Sequence, residues 1–393
     1  MFTQIITKTR ALSKANQTVV VAVSVPLVVT CVGIAFAAHA LVIGHDHVFG
    51  TSRDVPWGLL IAPYAFFACL ATGLSILSAL GQVFSLSALK PLVQQMTFLA
   101  IIAMAAALFA IGLEVESPWR VAIYGILSPN PLSNIWWKST LYTLFLLLMC
   151  ANYALLITGR TKGARGLALA ALVAIGIGNL NLKADIALLG ARSFWAENYM
   201  PVFFLTVSIM IGCAAFSLLK WLSKKLIAAD SGEVPPSSTA AIHKIFIVSV
   251  IVLGGFVAMK ISSGFSPETA PNPVAMDLLM RGEYAYNFWI GEVGLGVILP
   301  LTLLLLCKAG SRAGLFALAG ITAMAGVFIT FYDIIIVGQL IPHYADYSLF
   351  DYPALYTYRP TLHEYMIAIA AFGLFFSLFI LGQHFFKNAT TRS

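Results

Sequence analysis

In a chain of 393 residues, 60% hydrophobic, 10% charged and with a mean hydropathy of +0.90, the apolar surface exceeds what a water-soluble core can hide, which excludes an ordinary soluble globular fold. The net charge of +7 is scattered over loops and the ends of apolar runs without a dense basic stripe, so lipid headgroups and membrane topology explain it better than nucleic acid. The five cysteines, Cys31, Cys69, Cys150, Cys213 and Cys307, each stand alone in an apolar segment with no CxxC or CxxCH spacing; they read as packing residues, not as iron–sulfur or haem ligands.

Crossing a hydrocarbon core of roughly 30 Å takes about 20 helical residues, and apolar runs of that length recur along the whole chain. They predict helices over 18–43, 57–84, 92–114, 136–158, 165–189, 199–222, 242–261, 284–307, 312–337 and 361–386. The first follows Lys8, Arg10 and Lys14 in the manner of a signal peptide, but Val19 to Ile43 is too long for a typical apolar signal core, so it is read as an uncleaved helix. Between the sixth and seventh, the Pro- and Ser-containing stretch Ala228–Ala240 predicts an exposed linker. Placing the N-terminus inside keeps 15 of the 23 Lys and Arg on the cytoplasmic side. Ten crossings then return the C-terminus to the cytoplasm and leave the loop Gly338–Pro360 outside.

Ionisable residues at membrane depth are costly, so their positions point to function. On this topology Trp57 lies near the outer interface, Tyr64 about two turns below it, Glu114 and Glu116 at the exit of the third helix, and Asn179, Asn181, Lys183 and Asp185 at the exit of the fifth. Together they form a candidate small-molecule site just under the outer surface, although Glu116 and Asp185 read equally well as wet helix ends. The second half repeats the theme with Lys260, Glu283, Glu292, Tyr332, Asp333 and Glu364, which suggests two related bundles. Glu292, Tyr332, Asp333 and Glu364 are candidates for a proton relay; for Glu292, the deepest, satisfaction by a neighbouring Lys or Tyr is the equal alternative. Of the histidines only His39 sits at membrane depth. His45, His47 and His343 belong to loops and His243, His363 and His384 to helix ends, which argues against a haem held by paired imidazoles. His39 itself reads as a hydrogen-bonded structural residue or as a polar contact to a ligand. No metal site is expected.

Several short motifs, taken in order, resemble the NrfD-type family of polysulfide-reductase-like membrane subunits, in its ten-helix branch. Pro56-Trp57-Gly58-Leu59 leads to Tyr64 and a small-residue stretch at Ala71-Thr72-Gly73. Asn130-Pro131-Leu132-Ser133 precedes Trp136-Trp137, and Ser193-Phe194-Trp195 precedes Pro201. In the second half, Phe288-Trp289, Glu292, Gly296 and Pro300 keep the family's spacing, as do Tyr358, Pro360-Thr361 and Glu364. Departures occur at Glu114-Val115-Glu116-Ser117-Pro118-Trp119-Arg120 and at Asn181-Leu182-Lys183-Ala184-Asp185, where the polar partners of a bound head group are expected.

The resemblance implies an all-α integral membrane protein of two four-helix bundles and two flanking helices, in a bacterial inner membrane. The corresponding division is a cytoplasmic segment 1–17, a flanking helix and outer loop 18–56, a first bundle 57–189, a second bundle 199–337, an outer loop 338–360, and a last flanking helix and tail 361–393. It further implies a site for menaquinone or ubiquinone in the first bundle. There Tyr64, His39, Glu114, Asn181, Lys183 and Asp185 would surround the head group, with Tyr64, Glu114 and Asp185 as the catalytic set. The implied partners are a ferredoxin-like iron–sulfur subunit on the periplasmic side and, beyond it, a catalytic subunit of molybdenum, multihaem cytochrome c or hydrogenase type. Quinol oxidation releases two electrons and two protons, so Tyr64 is expected to hold a ring oxygen and Glu114, or Asp185 poised by Lys183, to accept a proton. A proton-coupled secondary transporter is the alternative, and it predicts helices broken at mid-depth in corresponding positions of the two halves.

Overall fold

The computed structural model describes residues 2–188, 193–195, 199–226, 234–265, 272–307, 312–342 and 353–390, with side chains over 20–179, 194–195, 199–225, 234–265, 272–307, 312–342 and 353–383. Among them every regular element is helical, as a hydrocarbon solvent requires when it offers backbone groups no partner. In chain order the helices are α1 (Phe2–Ile43), α2 (His45–Val48), α3 (Ile61–Gln82), α4 (Val93–Glu114), α5 (Pro118–Leu127), α6 (Asn134–Ile157) and α7 (Thr161–Leu188). There follow α8 (Met200–Leu226), α9 (Pro236–Phe265), α10 (Pro273–Met280), a π-helical stretch Asn287–Ile298 that continues into α11 (Leu299–Leu306), α12 (Ala313–Leu340) and α13 (Leu362–Thr390). Ten helices among the described residues are long and apolar enough to cross a membrane, and the chain is a multi-pass integral membrane protein.

The spans close into two rings. In the first, α3 packs on α4, α4 on α6, α6 on α7, and α7 back on α3. In the second, α8 packs on α9, α9 on the π stretch and α11, these on α12, and α12 back on α8. The helices of each ring follow one another in the same order and alternate in direction the same way, so the bundles repeat one arrangement. α3 and α8 join the two rings, while α1 and α13 pair with each other and α13 leans on α4.

Close approach at the joints is set by small residues. A Cβ on Gly73 of α3 would run into the Ser208 carbonyl of α8, and one on Gly212 would come within 2.9 Å of the Gly73 carbonyl carbon. Inside the second ring, Gly326 of α12 lies against the backbone of Gly296 in the same way. With no lipid-excluding force between apolar helices, such backbone contact is a main source of packing energy.

Several boundaries differ from expectation. Pro236–Ala240, expected in an exposed linker, forms the first turn of α9 with Ser238 and Thr239 buried, because Pro is tolerated at a helix start where its missing N–H costs nothing. The predicted helix 284–307 is wound as a π helix over its first half and becomes α-helical at Leu299. Pro300 sits in the first turn of α11, and Gly291 and Gly296 leave the wider turns room against Ile329 and Gly326 of α12. α1 continues toward the N-terminus through 2–17, α12 runs three residues past the expected 337, and the short helices α2, α5 and α10 occupy stretches expected as loops.

The α3–α8 crossing leaves no room for a side chain. Gly73→Val should therefore lower the thermal midpoint of the detergent-solubilised protein by more than Gly112→Val, whose Cβ would meet nothing within 4 Å. The expected penalty at Gly73 is about 1–3 kcal/mol from overpacking, and equal midpoints for the two variants would refute the crossing.

Candidate functional site

Three clusters of polar side chains lie toward the end at which α3 begins and α4 and α12 finish. In the first ring the polar side chains converge on α6. Lys138, in its second turn, is buried, and its ammonium lies 5.4 Å from the centre of the Tyr64 ring. One turn further along the same face, Tyr142 stands 6.2 Å from Tyr64, centre to centre. The Tyr142 hydroxyl donates to Asn179 Oδ1 at 2.8 Å, Asn179 Nδ2 donates to Thr72 Oγ1 at 2.7 Å, and Thr72 donates to the Ala68 carbonyl at 2.8 Å. This directed chain links α6, α7 and α3, and each bond in it polarises the next. Tyr64 and the Lys138 ammonium stand beside this chain, against the Tyr142 ring.

The second ring carries a different set at the same end. Lys260 of α9 donates to both carboxylate oxygens of Glu292, at 3.1 and 2.9 Å, and lies 5.4 Å from the centre of the Phe288 ring. Glu292 and Phe288 both belong to the π stretch, whose wider turn sets the Glu292 carboxylate toward α9. A narrow cavity beside the pair is lined by Tyr199, Phe203, Phe256, Ser263 and Met276. Asp333 of α12 is fully buried: its Oδ1 accepts from Asn287 Nδ2 at 2.8 Å, while its Oδ2 finds no partner among the described residues. Asp333 also interacts electrostatically with Glu292 and Lys260. Tyr284 and Tyr332 face each other next to it, ring centres 6.5 Å apart. Burial first, then the Glu283 and Asp333 carboxylates, hold the Tyr284 hydroxyl above its ordinary range, with a hydrogen bond to Tyr332 opposing.

A third cluster ties the loops over this end. Glu364 and Thr361 form a capping box at the start of α13: Glu364 Oε2 accepts from the Thr361 amide at 2.9 Å and the Glu364 amide donates to Thr361 Oγ1. The same carboxylate accepts from the Gly50 amide at 2.9 Å and from the Tyr358 hydroxyl at 2.6 Å, and Tyr358 in turn accepts from the Leu59 amide. Gln339 of α12 grips both the amide and the carbonyl of Trp57, whose ring stacks on Trp195 at 5.6 Å. Trp195 donates to the Ile334 carbonyl at 2.7 Å.

The expected site residues thus fall in separate neighbourhoods. Tyr64 lies in the Lys138–Tyr142 cluster. Glu114, half-buried at the end of α4, instead interacts with Glu364 and lies beside His45, while Glu116 is exposed. His39 is exposed and pairs with His363 of α13, Nδ1 to Nε2 at 3.0 Å, so two imidazoles expected apart are brought together on the α1–α13 face. The side chains of Asn181, Lys183 and Asp185 lie outside those described, as does His343. Glu292, Tyr332 and Asp333 share one cluster, whereas Glu364 has both carboxylate oxygens engaged in fixing the loops. Lys138, Tyr142 and Asn287 escaped the sequence reading, and Thr72 and Tyr358 entered it only as motif residues without a site role. Lys138 opens a predicted helix and passes for an interfacial lysine; its i, i+4 spacing to Tyr142 is the signal that puts both on one face.

Among the described residues, ten membrane helices, eight of them in two repeated rings and two in a flanking pair, define a multi-pass membrane protein that carries buried polar clusters inside both rings. The chain belongs to the NrfD polysulphide reductase family, whose model matches residues 47–343. It is similar to the Hdr-like menaquinol oxidoreductase integral membrane subunit of Archaeoglobus fulgidus, 24% identical over 373 residues and covering 91% of this chain and 92% of that one. It is also similar to one of the subunits of the selenate reductase of Mesobacillus selenatarsenatis, 23% identical over 372 residues, 82% of this chain and 84% of the relative.

Two measurements probe this end of the molecule. Breaking the buried Lys260–Glu292 pair by Lys260→Met or Glu292→Met alone should cost about 3–5 kcal/mol, because each strands one charge. The double variant should cost less than the sum of the two, and an additive cycle would show that the residues do not interact. His45 is buried with Nε2 unpartnered among the described residues; burial lowers its pKa from 6.5, against the opposing pull of Glu116, the Glu114 backbone and Asp46. Its folded pKa lies below the unfolded one, so its contribution is fully present above about pH 6.5 and is lost as pH falls from there through the folded pKa. Wild type should accordingly lose more thermal stability than His45→Phe between pH 7.5 and pH 5.5, and parallel curves would exclude the effect.

Proposed function

We propose that this chain is the quinone-reactive membrane subunit of a respiratory oxidoreductase complex in the cytoplasmic membrane, exchanging electrons between menaquinol or ubiquinol and an iron–sulfur partner protein. The observation that carries this reading is the buried Tyr64–Lys138 pair, backed by the Tyr142–Asn179–Thr72 chain, inside the first ring. Quinone oxygens accept hydrogen bonds, and the cluster is built of groups with that chemistry, a phenol and an ammonium, beside the Tyr64 and Tyr142 rings. The name of the Archaeoglobus relative, a menaquinol oxidoreductase subunit, supports the same substrate class, and both relatives are named as subunits of larger enzymes.

In this reading Tyr64 and Lys138 hold the head group, and Tyr142, fixed by Asn179, keeps the aromatic wall in place. Glu114 stands at the exit of α4 between the membrane interior and the exposed Glu116, a position suited to passing protons outward. Asn181, Lys183 and Asp185 at the end of α7 belong to the same proposal. Glu292, Asp333 and Tyr332, joined by Lys260 and Asn287, form a relay in the second ring. The N- and C-termini lie in the cytoplasm, the iron–sulfur protein docks on the opposite, periplasmic end over the Trp57–Trp195 layer, and the complex is completed by a further, catalytic subunit. Against the transporter alternative, the helix irregularity at Asn287–Ile298 has no counterpart in α6, its equivalent in the first ring.

In the assembled complex, Tyr64→Phe and Lys138→Met should each lower quinol-linked turnover about tenfold or more, the usual scale for losing a positioned donor. Asn179→Leu should give a smaller loss through Tyr142. Unchanged turnover in both Tyr64→Phe and Lys138→Met would refute the assignment, as would solute uptake by the isolated chain in liposomes.

A further inference from the structure

α5 presents large apolar side chains with nothing over them. It joins the end of α4 to the start of α6, and none of its residues is buried. Ile126 is 82% exposed and Leu127 73%, and Trp119, Val121, Ile123 and Tyr124 are exposed as well; its single charge is Arg120. Such a surface is not left to water.

Its height is constrained from both sides. Only Val115, Ser117 and the exposed Glu116 separate it from α4, a link that spans about 10 Å when fully extended. At the other end Trp136, in the first turn of α6, donates from its indole nitrogen to the Gly125 carbonyl at 2.8 Å, fastening α5 to the head of that helix. α5 is therefore held at the level where two spanning helices reach the membrane surface. Its exposed face runs on into Ile135, Leu144 and Leu147, which point outward along α6 where that span meets lipid. Trp119, Tyr124 and Trp137 supply the aromatic girdle typical of an interface, and Arg120 suits phosphate headgroups.

We infer that α5 lies in the headgroup layer of the bilayer, its apolar side chains seated in the upper acyl region, as the lipid-side sill of the first ring. Two residues past Trp136, α6 turns Lys138 inward to Tyr64, so a long-chain substrate arriving from lipid passes α5 to reach that pair. The location of α5 stands on geometry alone; its part in substrate entry rests on the quinone reading of the first ring.

The test separates the two. Ile126→Cys, in a background with the five native cysteines replaced, is labelled with an environment-sensitive fluorophore and the complex reconstituted into phospholipid vesicles. Quenching by lipids spin-labelled near the headgroup, with little quenching by aqueous iodide, is expected. Dominant quenching by iodide, or shielding from both because a partner protein covers the site, would overturn the location. For entry, Ile126→Glu with Leu127→Glu should raise KM severalfold for a long-chain quinol while leaving kcat, and turnover of a short-chain water-soluble quinol, unchanged. Equal loss with both quinols would overturn the sill, whereas absence of quinol turnover in the wild-type complex would refute the first-ring reading and leave the fluorescence result standing.

Discussion

Hydrocarbon offers no hydrogen bonds, so every polar group that enters the membrane interior of this protein must find its partner within the protein. That constraint organises the whole structure. Backbones satisfy themselves as helices, and polar side chains answer one another across helices: Tyr142 to Asn179 to Thr72, Lys260 to Glu292, Asn287 to Asp333 and, at the opposite end, Gln82 to Asn152. Each pair fixes the rotation of two helices about their axes, which apolar contacts between featureless leucine faces do poorly. Gly296 and Gly326 bring the π stretch and α12, which Asn287 and Asp333 join, into backbone contact, and Gly73 and Gly212 do the same where α3 meets α8.

The two rings share a plan and diverge in chemistry. In each, the third element hydrogen-bonds to the fourth near the same end, through Tyr142 and Asn179 in one and Asn287 and Asp333 in the other. Among the described residues, the first ring sets a neutral Tyr142–Asn179–Thr72 network beside buried Lys138. The second ring concentrates a cation, a carboxylate paired with it and a second carboxylate whose Oδ2 has no partner among the described residues. The π-helical turn that carries Glu292 is a winding often met at functional sites, and ionisable residues at this depth are the ones the proposed relay uses. One architecture thus carries two different polar clusters side by side.

Over both chambers the loops are fixed by bonds that reach far along the chain. The Thr361–Glu364 capping box would be local in any helix, but here its carboxylate also captures Gly50 and Tyr358, more than three hundred residues and six residues away respectively. Gln339 does the same for Trp57. The result is a cover of tryptophan and loop backbone across the joint of the two rings.

The number of membrane helices, their approximate limits and the existence of polar clusters near one end were legible in the residues themselves, because hydrophobic run length and the cost of buried charge depend only on local composition. Tyr64, Glu292 and Asp333 stood out on that basis. Which clusters the residues join was not legible, since it depends on helix rotation and on contacts between helices distant in sequence: Lys138 turned inward although it opens a helix as an interfacial lysine would, His39 met His363 across the flanking pair, and Glu364 was drawn into a loop lock. The π winding before Pro300 and the exposed α5 likewise belong to the tertiary structure, for both answer to neighbours, one to the close approach of α12 and the other to the surface at which two spans end.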